Sequence, residues 1–345
     1  MTMRKTLIAT GIFLLSLTAA DAKIIDAKTI DAKTKDARTI KVLILDDVFQ
    51  KIPAKEEALE KMGRLRGDLL VNGAHYPGNI EVLRGSNSLY LINELSIEDY
   101  IKNVVSAEVG ANWDMEALKV QAVISRTYAM YQKNQNNTNG NYDITSSVLH
   151  QVYKGSSFDP RISYAVMDTE GEVLTYNGNL IEAFYHSTSG GKTEDPAEVF
   201  GKSYPYLKPV ESNCEISPYW IWERRIPAEE IEKALNIKGI SNLQIKSYTS
   251  THRVKTVDVI YSGGVLNVES KDLRKILGWS RLPSTNFTIS RDNSDYVFEG
   301  KGYGHGVGLC QWSALEMSRE GMTYKQILDY FYPGTKLEKY ENRGL

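Results

Sequence analysis

Between about Met115 and Gln132 lies a helix-length segment that is apolar on nearly every side, carrying Ala117, Leu118, Val120, Ala122, Val123, Ile124, Ala129 and Met130 around its axis. A surface helix keeps a polar face, so a helix without one is surrounded by other elements and sits at the centre of a domain. Asp114 is placed to cap its start, and Glu116 suits the partial positive charge of the first turn. With 345 residues the chain is long enough for one large domain or two ordinary ones around that helix.

The segment just before it, Ser96 to Val109, also reads as a helix. Ser96 with Asp99 three residues on is a capping pattern, and Gly110 is a stop signal. Ile97, Tyr100, Ile101, Val104 and Val105 form an apolar stripe whose next position is Glu108, while Glu98, Asp99, Lys102 and Asn103 take the opposite face. A carboxylate on the core-facing side loses water, which raises its pKa and lets it hold a proton. That is what a general acid needs. The plainer alternative is a frayed last turn whose glutamate reaches water.

The remaining pattern mixes strands and helices without a regular β-α-β rhythm, which predicts an α+β fold: a mixed sheet-and-helix body with a smaller inserted α+β subdomain near 216–290. Lys41 to Leu45 reads as a buried strand, and Ile80 to Ile92 as two strands around Gly85-Ser86-Asn87. The charged stretch Lys55 to Arg66 suggests a surface helix. Val173 to Tyr176 and Leu180 to Tyr185 read as strands, Ala228 to Leu235 as a helix, and Lys255 to Tyr261 as an alternating strand; two helical pieces close the chain. The body is expected to run from 41 to 345.

At the N-terminus Arg4 and Lys5 precede an apolar run, Leu7 to Leu17, followed by small residues at Ala20-Asp21-Ala22. This pattern reads as a cleavable secretory signal over 1–22, which places the mature protein in the periplasm or cell envelope with no transmembrane anchor. A run of period five, from Asp21-Ala22-Lys23 to Asp36-Ala37-Arg38, reads as a solvated spacer over 23–40. The net charge of -2 carries no nucleic-acid signature. Cys214 and Cys310 are the two cysteines; an oxidising compartment permits their pairing, but sequence does not reveal it.

Three further clusters carry chemistry-bearing side chains: Gln151-Val152-Tyr153, the run Tyr185 to Glu194 with His186, Ser187, Ser189 and two glycines, and Gly302 to Gly308, where His305 stands among four glycines ahead of Gln311 and Trp312. Alternate glycines strip one face of an extended segment, so either a ligand or another backbone can approach closely. A serine hydrolase built on Ser187 or Ser189 with His305 lacks a Gly-x-Ser-x-Gly elbow, and neighbours His186 and Ser187 point to opposite faces of a strand. The five histidines show no metal-ligand spacing, so no metal and no cofactor is expected.

Taken in order, these segments resemble the stage II sporulation protein D family, which includes amidase-enhancer proteins, from about Val71 to Leu337. The resemblance rests on Asn93-Glu94, Glu98-Asp99-Tyr100, Val104, Glu108, Trp113, Glu116 to Lys119, Gln121 to Val123, Arg126 to Ala129, Gln151 to Tyr153, His186 to Gly191, Gly304 to Gly308, Gln311 and Tyr332 to Thr335. It implies lytic transglycosylation of peptidoglycan glycan strands, with Glu108 as acid and base, acting on strands stripped of stem peptides and alongside a cell-wall amidase. It further implies a substrate-contacting set of Arg126, Tyr128, Gln151, Tyr153, Tyr185, His186, Ser187, Ser189, His305 and Gln311, with Arg126 and Tyr128 either orienting Glu108 or serving the fold. Some members bind zinc just before the Gln-x-Tyr motif, but Thr145 to His150 has no cysteine and one histidine. Cys310 stands where a serine is expected. Two other readings are a silent peptidoglycan-binding activator of an amidase and a hydrolase pairing Glu108 with an acid such as Glu194.

Overall fold

The computed structural model describes residues 39–45, 51–53, 57–67, 69–135, 140–147, 150–155 and 159–340. The secretory signal and nearly all of the period-five spacer lie outside the described residues. Among the described residues eight helices occur: α1 (Ile97–Glu108), α2 (Met115–Gln135), α3 (Pro160–Asp168), α4 (Pro196–Phe200), α5 (Ala228–Leu235), α6 (Ser270–Leu277), α7 (Gln311–Arg319) and α8 (Tyr324–Phe331). They pack with several small sheets, and the fold is α+β. No helix of the described residues is long and apolar enough to cross a membrane.

The all-round apolar surface of α2 is explained by what surrounds it. Ala117, Leu118, Ala122, Ala129 and Met130 pack with Tyr100, Ile101, Val104 and Val105 of α1 and with Ile162, Ala165 and Val166 of α3. Val120, Val123 and Ile124 belong to a second core containing Leu174, Ile181, Leu309, Ile327, Leu328 and Phe331. One helix thus joins two cores, and each fully buried Val, Leu or Ile contributes about 1.5–3 kcal/mol.

The first core is floored by a five-stranded sheet in the order Glu60–Arg66, Asn79–Arg84, Leu89–Ser96, Thr39–Leu43, Ile144–Thr145. All neighbours are antiparallel except the last pair, which is parallel. Strand Leu89–Ser96 runs straight into α1: Ser96 ends the strand and its hydroxyl accepts the Asp99 N–H at 3.1 Å. This junction sets the direction of α1 and so the position of Glu108 at its far end.

The stretch Lys55 to Arg66 departs from the expected surface helix over its described residues, 57–66; positions 55 and 56 lie outside the described residues. Glu60–Arg66 is an edge strand paired with Asn79–Arg84, with a register shift at Lys61/Gly63. The helix-favouring Glu, Lys, Met and Leu residues are overridden by the ladder bonds of a neighbouring strand. The charged side chains suit an edge, where they discourage further pairing. The expected strand Leu180 to Tyr185 is also shorter than its pattern: only Asn179–Leu180 and Tyr185–His186 pair, with irregular backbone between.

A third core, from Trp222 to Phe298, is built on two three-stranded sheets with α5 and α6. Trp222–Pro227 pairs with Asp295–Gly300, so the two ends of this stretch close on each other.

Candidate active site

Glu108 is the last residue of α1 and is half-buried. Its Oε1 accepts the Val152 N–H at 2.9 Å and the Tyr185 hydroxyl at 3.2 Å, and its Oε2 accepts from Gln311 Nε2 at 3.4 Å. Loss of water raises the Glu108 pKa, and this outweighs the pull of the Val152, Gln311 and Tyr185 hydrogen bonds in the other direction. The result is a carboxyl group oriented by three donors yet more proton-retaining than an ordinary glutamate.

Behind these donors lies a buried polar chain. Gln311 Nε2 also donates to Gln121 Oε1 at 3.2 Å, and Gln121 Nε2 donates to Ser125 Oγ at 3.0 Å. Gln151 Nε2 donates to the Ser125 carbonyl at 3.2 Å, while its Oε1 accepts the Tyr100 hydroxyl at 3.1 Å. Gln151 and Gln121 are almost fully buried, at 1% and 2% exposure. An amide in that setting is held by its partners and keeps one orientation. Gln151 therefore fixes the turn that aims the Val152 N–H at Glu108.

Other residues of the expected set lie elsewhere. Arg126 makes no contact with Glu108: Nε and Nη2 bond Glu98 at 2.9 and 2.6 Å, and Nη1 donates to the Glu172 carbonyl at 3.1 Å. It ties α1, α2 and the strand Glu172–Tyr176 together. Tyr153 is 2% exposed and stacks obliquely on Tyr100 with ring centres 5.3 Å apart, its hydroxyl turned to Asn93. Tyr128 lies between Phe184 and His150, with ring centres 6.4 and 6.5 Å away.

The glycine-rich segment is a wrap around another strand, since Gly302, Gly304, Gly306 and Gly308 all have positive φ. A side chain on Gly308 would collide with the Phe184 carbonyl, and one on Gly304 with His186. Close backbone approach is what these glycines permit here. Strand Tyr185–His186 pairs in parallel with Leu309–Cys310. Tyr185 thereby faces Glu108 while His186 faces the other way: its Nδ1 lies 3.1 Å from the Val307 carbonyl, and its Nε2 is buried without a partner among the described residues.

His305 accepts the Val307 N–H at Nδ1, 3.0 Å away, and packs between Phe200, Phe184 and His186. Burial and the charges of Arg274 and Arg253 push its pKa down to about 4, and burial with the His305 and Arg253 neighbours pushes His186 down as well. Ser189 is fully buried and donates to the Ser212 carbonyl at 3.1 Å; Ser187 Oγ lies 3.2 Å from Thr188 Oγ1. Neither serine has a histidine hydrogen-bonded to it. Glu194 is held by Thr249 at 2.7 Å and by the Asp195 N–H at 2.7 Å, with Arg253 at 3.8 Å.

Two contributors stand outside the expected substrate-contacting set, Val152 and Gln121. The Val152 N–H is invisible in a residue list because any residue supplies it. Gln121 lies six residues past the start of α2 and is buried with its neighbours, so a polar residue on an all-round apolar helix could have flagged it. Trp113 and Trp312 have ring centres 5.1 Å apart; Trp113 belongs to the first core, and Trp312, next to Gln311, is partly buried against it. Among the described residues no three His, Cys, Asp or Glu side chains gather as a metal cage.

A family profile described as "Stage II sporulation protein" matches residues 85–176, and a domain of unknown function matches 201–308. The stage II sporulation protein D of Bacillus subtilis (strain 168) is 32% identical over 283 residues, covering 76% of this chain and 80% of that protein. An uncharacterized protein of Brachyspira hyodysenteriae is 33% identical over 78% of this chain and 74% of its own length. The amidase enhancer of B. subtilis is 30% identical over 70% of this chain, which spans 40% of that longer relative.

Proposed function

This chain belongs to the stage II sporulation protein D family, and from that premise we propose that it is a peptidoglycan lytic transglycosylase with Glu108 as its single acid and base. It cleaves the bond between N-acetylmuramic acid and N-acetylglucosamine without adding water. Denuded glycan strands in cell-wall remodelling are its substrate, reached after export across the cytoplasmic membrane.

The observation that carries this reading is one proton-retaining carboxyl group, half-buried, on which three hydrogen-bond donors converge. Protonated Glu108 gives its proton to the leaving glycosidic oxygen. The C6 hydroxyl of the muramic acid then attacks the anomeric carbon, and the Glu108 carboxylate takes up the hydroxyl proton, giving a 1,6-anhydro ring. One group serves both steps because the proton returns to it. The Val152 N–H, Tyr185 and Gln311 hold the carboxylate while it is charged. A two-carboxylate hydrolase is less well supported, because Glu194 is committed to Thr249, the Asp195 N–H and Arg253. Trp312, next to Gln311 in sequence and only partly buried, offers an apolar face for a sugar ring.

The likeness to a protein named amidase enhancer favours a second reading, in which this chain binds glycan and stimulates an amidase. Mass spectrometry of denuded strands incubated with the protein and with Glu108→Gln separates the readings. Ends in 1,6-anhydro-N-acetylmuramic acid, lost in the variant, are the expected result. Reducing ends mean a hydrolase. No cleavage of strands that a control enzyme cuts overturns the catalytic reading and leaves the activator.

A further inference from the structure

Cys214 and Cys310 are 96 positions apart, read from their residue numbers, and fully buried, yet their sulfurs lie within hydrogen-bond reach of each other. The turn at Ser189 to Gly191 encloses them. The Ser189 N–H donates to Cys310 Sγ at 3.3 Å, the Ser189 hydroxyl lies 3.3 Å from Cys214 Sγ, and the N–H groups of Gly190 and Gly191 also serve Cys214. Gly190 and Gly191 both have positive φ, and the Gly191 N–H also donates to the Ser189 hydroxyl at 3.3 Å, which ties the turn together.

Arg253 adds a buried cation. Its Nη2 donates to the carbonyls of Ser189 and Lys192, its charge acts on both sulfurs, and its Nη1 is buried without a hydrogen-bond partner among the described residues. Hydrogen bonds from Cys310, Ser189 and the two glycine N–H groups pull the Cys214 pKa down to about 6, whereas burial and the Cys214 neighbour push Cys310 up. A pair composed of one thiolate and one thiol is the arrangement from which exchange with a disulfide proceeds. A site built only for packing has no need of a fixed cation and three N–H donors around sulfur.

We infer that Cys214 and Cys310 form a redox-active dithiol that closes to an intramolecular disulfide, joining the segment after Glu211–Ser212 to the residue that caps the start of α7. The oxidant is an organic disulfide, small or carried by a thiol oxidoreductase. The Cys214 thiolate attacks it, forming a mixed disulfide and releasing one donor thiolate. Cys310 yields its proton to that thiolate, and its sulfur displaces the second donor thiolate from Cys214. Two protein thiols lose two electrons and two protons, and one donor disulfide becomes two thiols. Since both sulfurs are enclosed, exchange occurs while the 189–191 turn is open, during folding or local unfolding, and the closed turn then shields the bond. This pairing is independent of the reaction at Glu108.

The test is to refold the reduced whole chain in buffers of stepped glutathione to glutathione-disulfide ratio, quench in acid, alkylate after denaturation and weigh the protein intact. The expected result is a species lighter than the dithiol by two hydrogen atoms, both alkylation sites lost together, and a peptide joining Cys214 to Cys310. Its melting temperature should exceed that of the same sample after reduction, and a C214S/C310S double variant should lose that difference. Chain purified folded from an oxidising compartment without reductant is a second sample judged by the same masses. Two alkylated thiols at every ratio, stable glutathione adducts on the unaltered chain, or disulfide-linked dimers would each overturn the inference.

Discussion

Glu108 and His305 both stand out in the sequence as polar residues in apolar or glycine-rich surroundings, yet the molecule treats them in opposite ways. Glu108 is left half-buried at a helix end, with donors on both oxygens and, among the described residues, no cation hydrogen-bonded or ion-paired to it. Burial raises its pKa, which favours the protonated, neutral form. His305 is wedged between two phenylalanines and another histidine, with Arg274 and Arg253 near, and burial lowers its pKa, which also favours the neutral form. The same desolvation thus makes a proton donor of one group and denies the other its proton. A neutral histidine bonded through Nδ1 to its own loop is a brace for the Gly302–Gly308 wrap.

The largest expected effect separates the two at once. Glu108→Gln should lower turnover on glycan strands by about 10²–10⁴-fold, the usual worth of a positioned proton donor, whereas His305→Asn should leave turnover largely unchanged; equal losses in assays of the two variants would break the contrast. Next in size are Gln311→Ala and Tyr185→Phe, each removing a donor to the Glu108 carboxylate at a cost of about tenfold. Both donors pull the Glu108 pKa down, so their removal raises it further, and the alkaline limb of the pH–rate profile should move to higher pH.

Two smaller effects concern stability, and their signs oppose. His305 titrates near 6.5 in an unfolded chain and about 4 here, so its stabilising contribution is present above 6.5 and lost as pH falls towards 4, on the order of 3 kcal/mol at most. Melting curves of His305→Asn should therefore flatten on the acid side. Glu108 has its pKa raised above 4.5, so its contribution is present below 4.5 and is lost as pH rises through the folded value. The Glu108→Gln protein should gain melting temperature relative to the parent as pH increases; a gap that narrows instead would mean the carboxylate is stabilised by charge.

Much of the body was legible because it depends on local pattern. The α1 stripe, the Ser96 cap and the all-round apolar α2 follow from spacing and side-chain chemistry, and they place Glu108 at a helix end beside the core. The strand at Glu60–Arg66 was not legible, because its helix-favouring residues are overruled by pairing with Asn79–Arg84. Nor was the division of labour among the polar residues. Arg126 and Tyr153 look like site residues by type, but long-range partners, Glu98 and Asn93, claim them. The Val152 N–H carries no side-chain signal at all.

The central claim is that Glu108 retains its proton where ordinary glutamates have lost theirs while the histidines of the glycine-rich wrap stay neutral. Site-resolved NMR titration of the folded protein, labelled at glutamate carboxyl carbons and histidine rings and assigned through Glu108→Gln and His305→Asn, tests it most directly. The expected result is a Glu108 midpoint above 4.5 and a His305 midpoint below 6.5. A Glu108 midpoint at or below 4.5 would contradict it.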